Sequence, residues 1–195
     1  MCPNIRKQDV NDKEKLSDEL LLERFLKGEE WAFEMIIERH KDKVYGIAFS
    51  IVRNRAIAED ISEETFIKLY YKANTFKGRS KFTTWLYSVT SNTAKNHLRG
   101  INKKHSEIDI EDITTLKSSI AEPDKMAEAS IINERINKAL EKLPERQREV
   151  FVMRNLNGLS IEETAEVLGI TQGAVKANFS FAIKKLRELL EDLIQ

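Results

Sequence analysis

A single cysteine, Cys2, is all that the 195 residues contain. One thiol closes no internal disulfide, so a reducing compartment, the cytoplasm, is the natural setting. Histidine is nearly as scarce, at His40, His97 and His105. No zinc-ligand spacing can be built from these and Cys2, so no metal site is expected. Neither G-x-x-x-x-G-K-[ST] nor G-x-G-x-x-G occurs, which removes the usual signs of nucleotide binding. The carboxylate pairs fall at helix-surface spacings, where they solvate rather than catalyse. No cofactor, small-molecule substrate or catalytic residue is therefore expected. No run approaches the roughly 20 apolar residues that span a bilayer. Residues 1–15 are polar and lack the apolar centre of a secretory signal. They read as a disordered tail, and no membrane insertion is expected. Proline and glycine number only 3 and 7, which favours helices joined by short turns.

What is present is charge, and it is segregated. The whole chain has formal net charge zero, yet Thr65 to Ser106 holds nine Lys or Arg and no Asp or Glu. Seven aromatics run through the same stretch: Phe66, Tyr70, Tyr71, Phe76, Phe82, Trp85 and Tyr87. Cations attract a phosphate backbone whatever its sequence. Aromatic faces are platforms for unstacked bases. Together they point to opened or single-stranded nucleic acid, against the plainer reading of core aromatics beside a solvated basic face.

Taken in order, the chain reads as helices. Ser17 caps a helix to about Lys27, with Asp18 and Glu19 in its first turn and Gly28 beyond its end. Apolar spacings of three and four predict a second helix over Glu30–Val52. Arg53 to Arg55 is a short break. A third helix, Ala56–Ala73, carries Glu59, Asp60, Glu63 and Glu64 on one side. Asn74 to Ser80 is a loop around Gly78. A fourth helix, Lys81–Arg99, has Phe82, Trp85, Leu86 and Val89 as its buried stripe. Ser88, Asn92, Lys95 and Arg99 share another face, at spacings of four, three and four. Ile101 to Lys125 loses periodicity, turns acidic and ends near Pro123, as a linker does. Helices follow over Met126–Leu143 and from Pro144, placed at a first helical position, to about Leu156. Ser160 to Glu163 is a capping-box pattern opening a short helix to Leu168. Thr171 caps a last helix to about Asp192. A short helix, a turn with Gly169 and a second helix form a helix-turn-helix pattern. Its second helix enters a major groove with its N-terminal residues, which puts Gln172, Lys176, Ala177 and Ser180 toward DNA.

Phrases in three parts of the chain carry a resemblance. Thr75-Phe76-Lys77-Gly78-Arg79-Ser80-Lys81-Phe82-Thr83-Thr84-Trp85-Leu86-Tyr87 resembles the DNA-melting and promoter-reading segment of bacterial ECF (extracytoplasmic-function) sigma factors of the sigma-70 superfamily. Ala58-Glu59-Asp60-Ile61-Ser62-Glu63-Glu64-Thr65-Phe66 looks like the segment with which that family grips the clamp helices of core RNA polymerase. Leu143 to Phe151 and Leu159 to Thr171 are similar to its helix-turn-helix domain. The resemblance covers about residues 17–104 and 128–190, in the family's order.

It implies an all-α fold of two small helical domains joined by a flexible linker. The divisions are a tail (1–15), a polymerase-binding and −10-reading domain (16–104), a linker (105–127) and a helix-turn-helix domain (128–195). It implies core RNA polymerase as partner at Glu59, Asp60, Glu63, Glu64 and Phe66. Opened −10 DNA would meet Phe76, Lys77, Arg79, Ser80, Lys81, Trp85, Ser88, Asn92, Lys95 and Arg99. Asn92 matches the position that contacts a −10 base, and the loop before it matches the one that captures a flipped base. Duplex −35 DNA would meet Thr171, Gln172, Gly173, Lys176, Ala177, Ser180 and Lys184. An anti-sigma factor is a further implied partner. Such a protein catalyses nothing; it supplies promoter recognition and strand opening to the polymerase.

Departures from the pattern matter. Glu63 stands where Gln is usual. Asn178, Phe181 and Ile183 stand where Arg is typical. From Glu128 to Gln195 there are ten Lys or Arg against eleven Asp or Glu, so the duplex reader is less basic than usual. Two other readings stay open here: a free-standing helix-turn-helix regulator, and an enzyme with an appended DNA-binding domain. The first leaves the basic aromatic stretch unexplained, and the second lacks a catalytic constellation.

Overall fold

A computed structural model describes residues 15–106 and 135–191 of the chain. Residues 1–14, most of the expected linker 105–127 and the start of the helix expected from Met126 lie outside the described residues. The regular structure described is entirely helical.

The first bundle follows from its caps. Ser17 Oγ accepts the Leu20 amide at 3.3 Å and opens α1 (Asp18–Leu26), with two carboxylates in the first turn to meet the helix dipole. Gly28, at φ 93°, lets the chain reverse. α2 (Glu30–Val52) ends on Arg53, held left-handed at φ 57°. Asn54 Oδ1 then accepts the Ile57 amide at 3.1 Å and starts α3 (Arg55–Lys72). The short break expected at residues 53–55 is thus one helix's end cap followed directly by the next helix's start. A single 3₁₀ turn, Ala73–Thr75, and a loop lead to α4 (Phe82–Ser106). α4 runs past the end expected near Arg99.

α2 packs against α1, α3 and α4. Leu21, Ile36, Val44, Ile47, Ile61, Leu69, Phe82 and Leu86 are wholly buried among them, each contributing about 1.5–3 kcal/mol. α1 also pins two neighbours through polar atoms. Glu19 Oε1 accepts the Phe82 amide at 3.2 Å and so caps α4 from outside. Asp18 accepts from Arg39 Nη1 at 2.9 Å and meets His40 Nε2 at 2.8 Å; His40 Nδ1 lies 3.1 Å from the Tyr87 hydroxyl. Burial pushes the Tyr87 phenol well up, and the Asp18 charge adds to it. At Asp18 itself burial pushes the carboxyl up, but the bonds from His40 and Arg39 outweigh it, and its pKa lies below the usual value.

This network sets a pH-dependent expectation. A depressed carboxylate contributes stability above its unfolded pKa and loses it as pH falls through the folded one. Asp18→Asn is expected to cost about 1–3 kcal/mol near neutrality. Chemical denaturation at stepped pH should show the gap between wild type and variant closing only in acid, below the ordinary aspartate range. A gap that stays constant into acid would show that the Asp18 charge contributes nothing.

The second bundle contains α5 (residues 135–141), α6 (Glu145–Phe151), α7 (Ile161–Leu168) and α8 (Gln172–Leu189). Pro144 stands one place before α6, as its N-cap, rather than at the first helical position. α6 widens into a π turn over Val152–Leu156. Ala139, Leu140, Leu143, Phe151, Ala182 and Leu186 form this bundle's own core. Ser160 and Glu163 complete the expected capping box at the start of α7. Gly169, at φ 65°, makes the turn of the helix-turn-helix, and Thr171 Oγ1 accepts the Ala174 amide to open α8.

The two bundles touch. α6 and the π turn pack on α2, and α7 packs on α4. Val150, Met153, Leu168 and Val175 join the apolar cluster of the first bundle. Val150, Phe151, Val152 and Met153 are consecutive and all buried, which a helix permits only when enclosed on every side.

Candidate polymerase and nucleic-acid interfaces

α3 places Glu59, Asp60, Glu63 and Glu64 on one exposed face. Glu64 pairs with Lys68 Nζ at 2.7 Å, one helical turn on. Phe66 does not belong to this surface: only 9% exposed, it packs into the first bundle's core. It sits at the edge of the acidic face, where a ring reaches inward while a carboxylate stays in water. Ile67, on which the sequence reading places no role, and Tyr71, read there as one of the base-platform aromatics, also lie on this surface. Ile67 is 56% and Tyr71 77% exposed. The signal was available, since Asp60, Glu64, Ile67 and Tyr71 follow at spacings of four, three and four.

The basic aromatic stretch divides between core and surface. Phe82 and Tyr87 are buried. Phe76 leans on Phe82 and Trp85, with ring centres 5.8 and 5.7 Å apart. This anchors the loop, and Lys77 and Arg79 stand exposed on it around Gly78, whose φ is 65°. Beside the loop lies an open groove of about 190 Å³ lined by Lys68, Lys72, Trp85, Val89, Asn92, Thr93 and Asn96. Trp85 and Val89, expected in the buried stripe, are half-buried in this groove instead. Lys68 donates to Thr93 Oγ1 at 3.0 Å and ties α3 to α4 across its floor. Asn92 is exposed. Lys68 and Lys72 belong to the basic stretch but not to the expected −10 set, and Thr93 and Asn96 carry no expectation from the sequence, though positions 85, 89, 92 and 96 form one helical stripe.

Ser88 is half-buried, its hydroxyl spent on the Thr84 carbonyl at 2.8 Å. Arg99 is exposed and lies 3.4 Å from Asn96 Oδ1. Ser80 is half-buried in the loop. Lys95 departs from the expectation that it shares the Asn92 surface. It is partly covered, and burial lowers its pKa despite the attraction of Glu149 on α6. Lys81 is also engaged, its Nζ 2.8 Å from Glu163 Oε1 on α7.

On α8, Gln172, Gly173, Lys176, Ala177, Ser180 and Lys184 are exposed, and so is the cap residue Thr171. Lys176, Ser180 and Lys184 edge a larger groove of about 630 Å³ floored by Val175, Phe179 and Ile183. Arg154 lies over the Phe179 ring, 5.6 Å from its centre. Phe181, in place of a basic residue, is 60% exposed. Among the described residues no cluster of metal-ligating side chains occurs, and no helix is long and apolar enough to cross a membrane.

The family model for sigma-70 region 2 matches residues 36–104, and that for sigma-70 region 4 matches residues 133–186. The sigma-E ECF RNA polymerase factor of Haemophilus influenzae is 32% identical over 189 residues, covering 93% of this chain and 97% of the relative. The chain belongs to the ECF RNA polymerase sigma factors. The RNA polymerase sigma-H factor of Pseudomonas aeruginosa is 30% identical over 185 residues, covering 91% of this sigma factor and 96% of its own length. Two solved structures share the fold at 23% identity. One is CnrH with the cytosolic domain of CnrY, at TM-score 0.65, covering 90% of this chain and 97% of that one. The other is the sigma factor RpoE with the anti-sigma factor NepR from Bartonella quintana, at TM-score 0.63, covering 82% and 96%. The sigma factor thus acts by binding core RNA polymerase and directing it to promoter DNA. The free-standing regulator is set aside, because region 2 and region 4 stand together in one chain.

Proposed function

We propose that residues 16–104 carry both the polymerase contact and the −10 reader, and residues 128–195 the −35 reader. The groove around Asn92 supports this most. It combines an exposed amide, a tryptophan edge and two lysines beside a loop that offers further cations. An amide donates and accepts at once and so reads a base edge. Lysines hold the backbone without reading sequence. Bases caught in a pocket offset the stacking lost on opening, so the sigma factor does its part by binding alone, without a catalytic step of its own. The exposed carboxylates of α3, with Ile67 and Tyr71, are the surface offered to the polymerase. It works in the cytoplasm beside the polymerase, and an anti-sigma factor restrains it.

The test is runoff transcription from a library of genomic fragments, with core polymerase and the purified sigma factor. A specific set of start sites is expected only when both are present. The near-neutral second bundle should bind promoter duplex weakly without polymerase, and more weakly still as salt rises. Tight, sequence-specific duplex binding by the chain alone would overturn the division of labour.

A further inference from the structure

α4 begins without a cap of its own. The first turn of a helix leaves backbone amides with no partner inside it. Lys81, just before Phe82, has no acceptor in its side chain, and the first turn of α4 carries no acidic residue. The Phe82 amide is met instead from 63 positions earlier in the chain, by Glu19 Oε1 at 3.2 Å. Glu19 is exposed in the first turn of α1. Its neighbour Asp18 fastens that end of α1 to α2, through Arg39 at 2.9 Å and His40 at 2.8 Å. Glu19 therefore reaches Phe82 from a fixed base.

The capped residue closes the loop of residues 76–81. Phe82 is wholly buried, and Phe76 at the other end of the loop packs edge-on to it, with ring centres 5.8 Å apart. α1 also packs on the 3₁₀ turn, Ala73–Thr75, from which the loop departs. Both ends of the loop thus stand on α1, while Lys77, Gly78 and Arg79 between them are exposed. At Gly78 a Cβ would meet nothing within 4 Å. The middle of the loop is unsupported, so its course is set at its ends.

The charge of Glu19 works against a nucleic-acid surface. The bond from Lys81 to Glu163 raises the lysine pKa most, and the Glu19 charge adds to it. A carboxylate beside a cation that faces phosphate weakens that attraction. The hydrogen bond of Glu19 and its charge therefore act in opposite directions, and different substitutions tell them apart.

We propose that Glu19 is a positioning residue for base capture: its hydrogen bond to the Phe82 amide sets the course of the 76–81 loop that receives an extruded −10 base. This rests on the −10 assignment above. A frayed loop binds only in proportion to the fraction correctly placed. Glu19 acts through the loop and not by contact with a base.

The experiment uses the holoenzyme, full chain with core polymerase, and a promoter recovered by runoff transcription. Fork templates carry duplex upstream and a single-stranded −10 non-template strand, with one abasic site at each −10 position in turn. The wild type should lose about tenfold or more in affinity at the position whose base the loop holds, the worth of one stacked base. In Glu19→Ala that loss should shrink by about fivefold, the equivalent of one helix cap. Glu19→Gln keeps an acceptor oxygen and should keep the wild-type loss. Relief of charge repulsion acts on intact and abasic forks alike, so it leaves the loss unchanged. Ile47→Val, a shortening in the core on α2, should lower the melting temperature and also keep the wild-type loss. An undiminished loss in Glu19→Ala overturns the proposal. So does a Glu19→Gln protein as defective as Glu19→Ala, or equal shrinkage in Ile47→Val. A wild-type holoenzyme indifferent to every abasic site overturns the assignment of the loop itself, and the role of Glu19 falls with it.

Discussion

Asp60→Lys with Glu64→Lys is expected to weaken the hold on core polymerase by about 2–4 kcal/mol, since truncated or reversed charges at a protein interface cost on that order. That is roughly 30- to 1000-fold in affinity. Both side chains are exposed on α3, so the fold does not depend on their charge. The one local loss is the ion pair of Glu64 with Lys68, worth about 0.3–0.5 kcal/mol at this helical spacing. Circular dichroism should therefore be unchanged while binding to labelled core polymerase falls. Lys68 adds a refinement. It already partners Glu64 and Thr93, so Asp60 alone should account for more of the loss than Glu64 alone. Unaltered affinity in the double variant would reduce the acidic face to a solvated surface.

Asn92→Ala is expected to relax base preference at one −10 position by about 1–3 kcal/mol, the worth of a good base-edge contact. Asn92 is exposed, and surface substitutions of that kind shift stability by about 0.5 kcal/mol or less. The melting temperature should hardly move. Lys72→Ala, on the same groove, should lower initiation from all promoters alike, because a cation on a phosphate carries no sequence information. Transcription from templates varied base by base separates the two patterns. A large loss of stability with unchanged preference would make Asn92 a structural residue.

Much of this fold is legible in local chemistry. Ser17, Ser160 with Glu163, and Thr171 cap the helices they were read to cap, and Gly28 and Gly169 turn the chain where they stand. Caps act within one turn, so a short window of sequence contains all of their physics. What was not legible is long-range. α4 was read with a single buried stripe, because a helix pattern shows apolar faces but not how many neighbours will cover them. The structure buries Thr84, Ser91 and Ala94 as well, on a helix packed against α7 in addition to the first bundle. For the same reason the sequence places Lys95 on open surface, where the structure partly covers it. Its i+3 relation to Asn92 is correct, and a carboxylate from more than fifty residues on was invisible. Phe66 failed differently. Neighbours in a motif are not neighbours on a surface, because adjacent helical positions point about 100° apart.

The packing of α7 on α4 has a corollary for how the fold comes apart. Val150, Met153, Leu168 and Val175 lie in one apolar cluster with the core of the first bundle, so parting the bundles exposes apolar surface on both, at a cost of about 25 cal/mol for each Å². Heat should therefore melt the two bundles together, and a calorimetric trace with two separate transitions would show that their shared cluster couples them too weakly to matter.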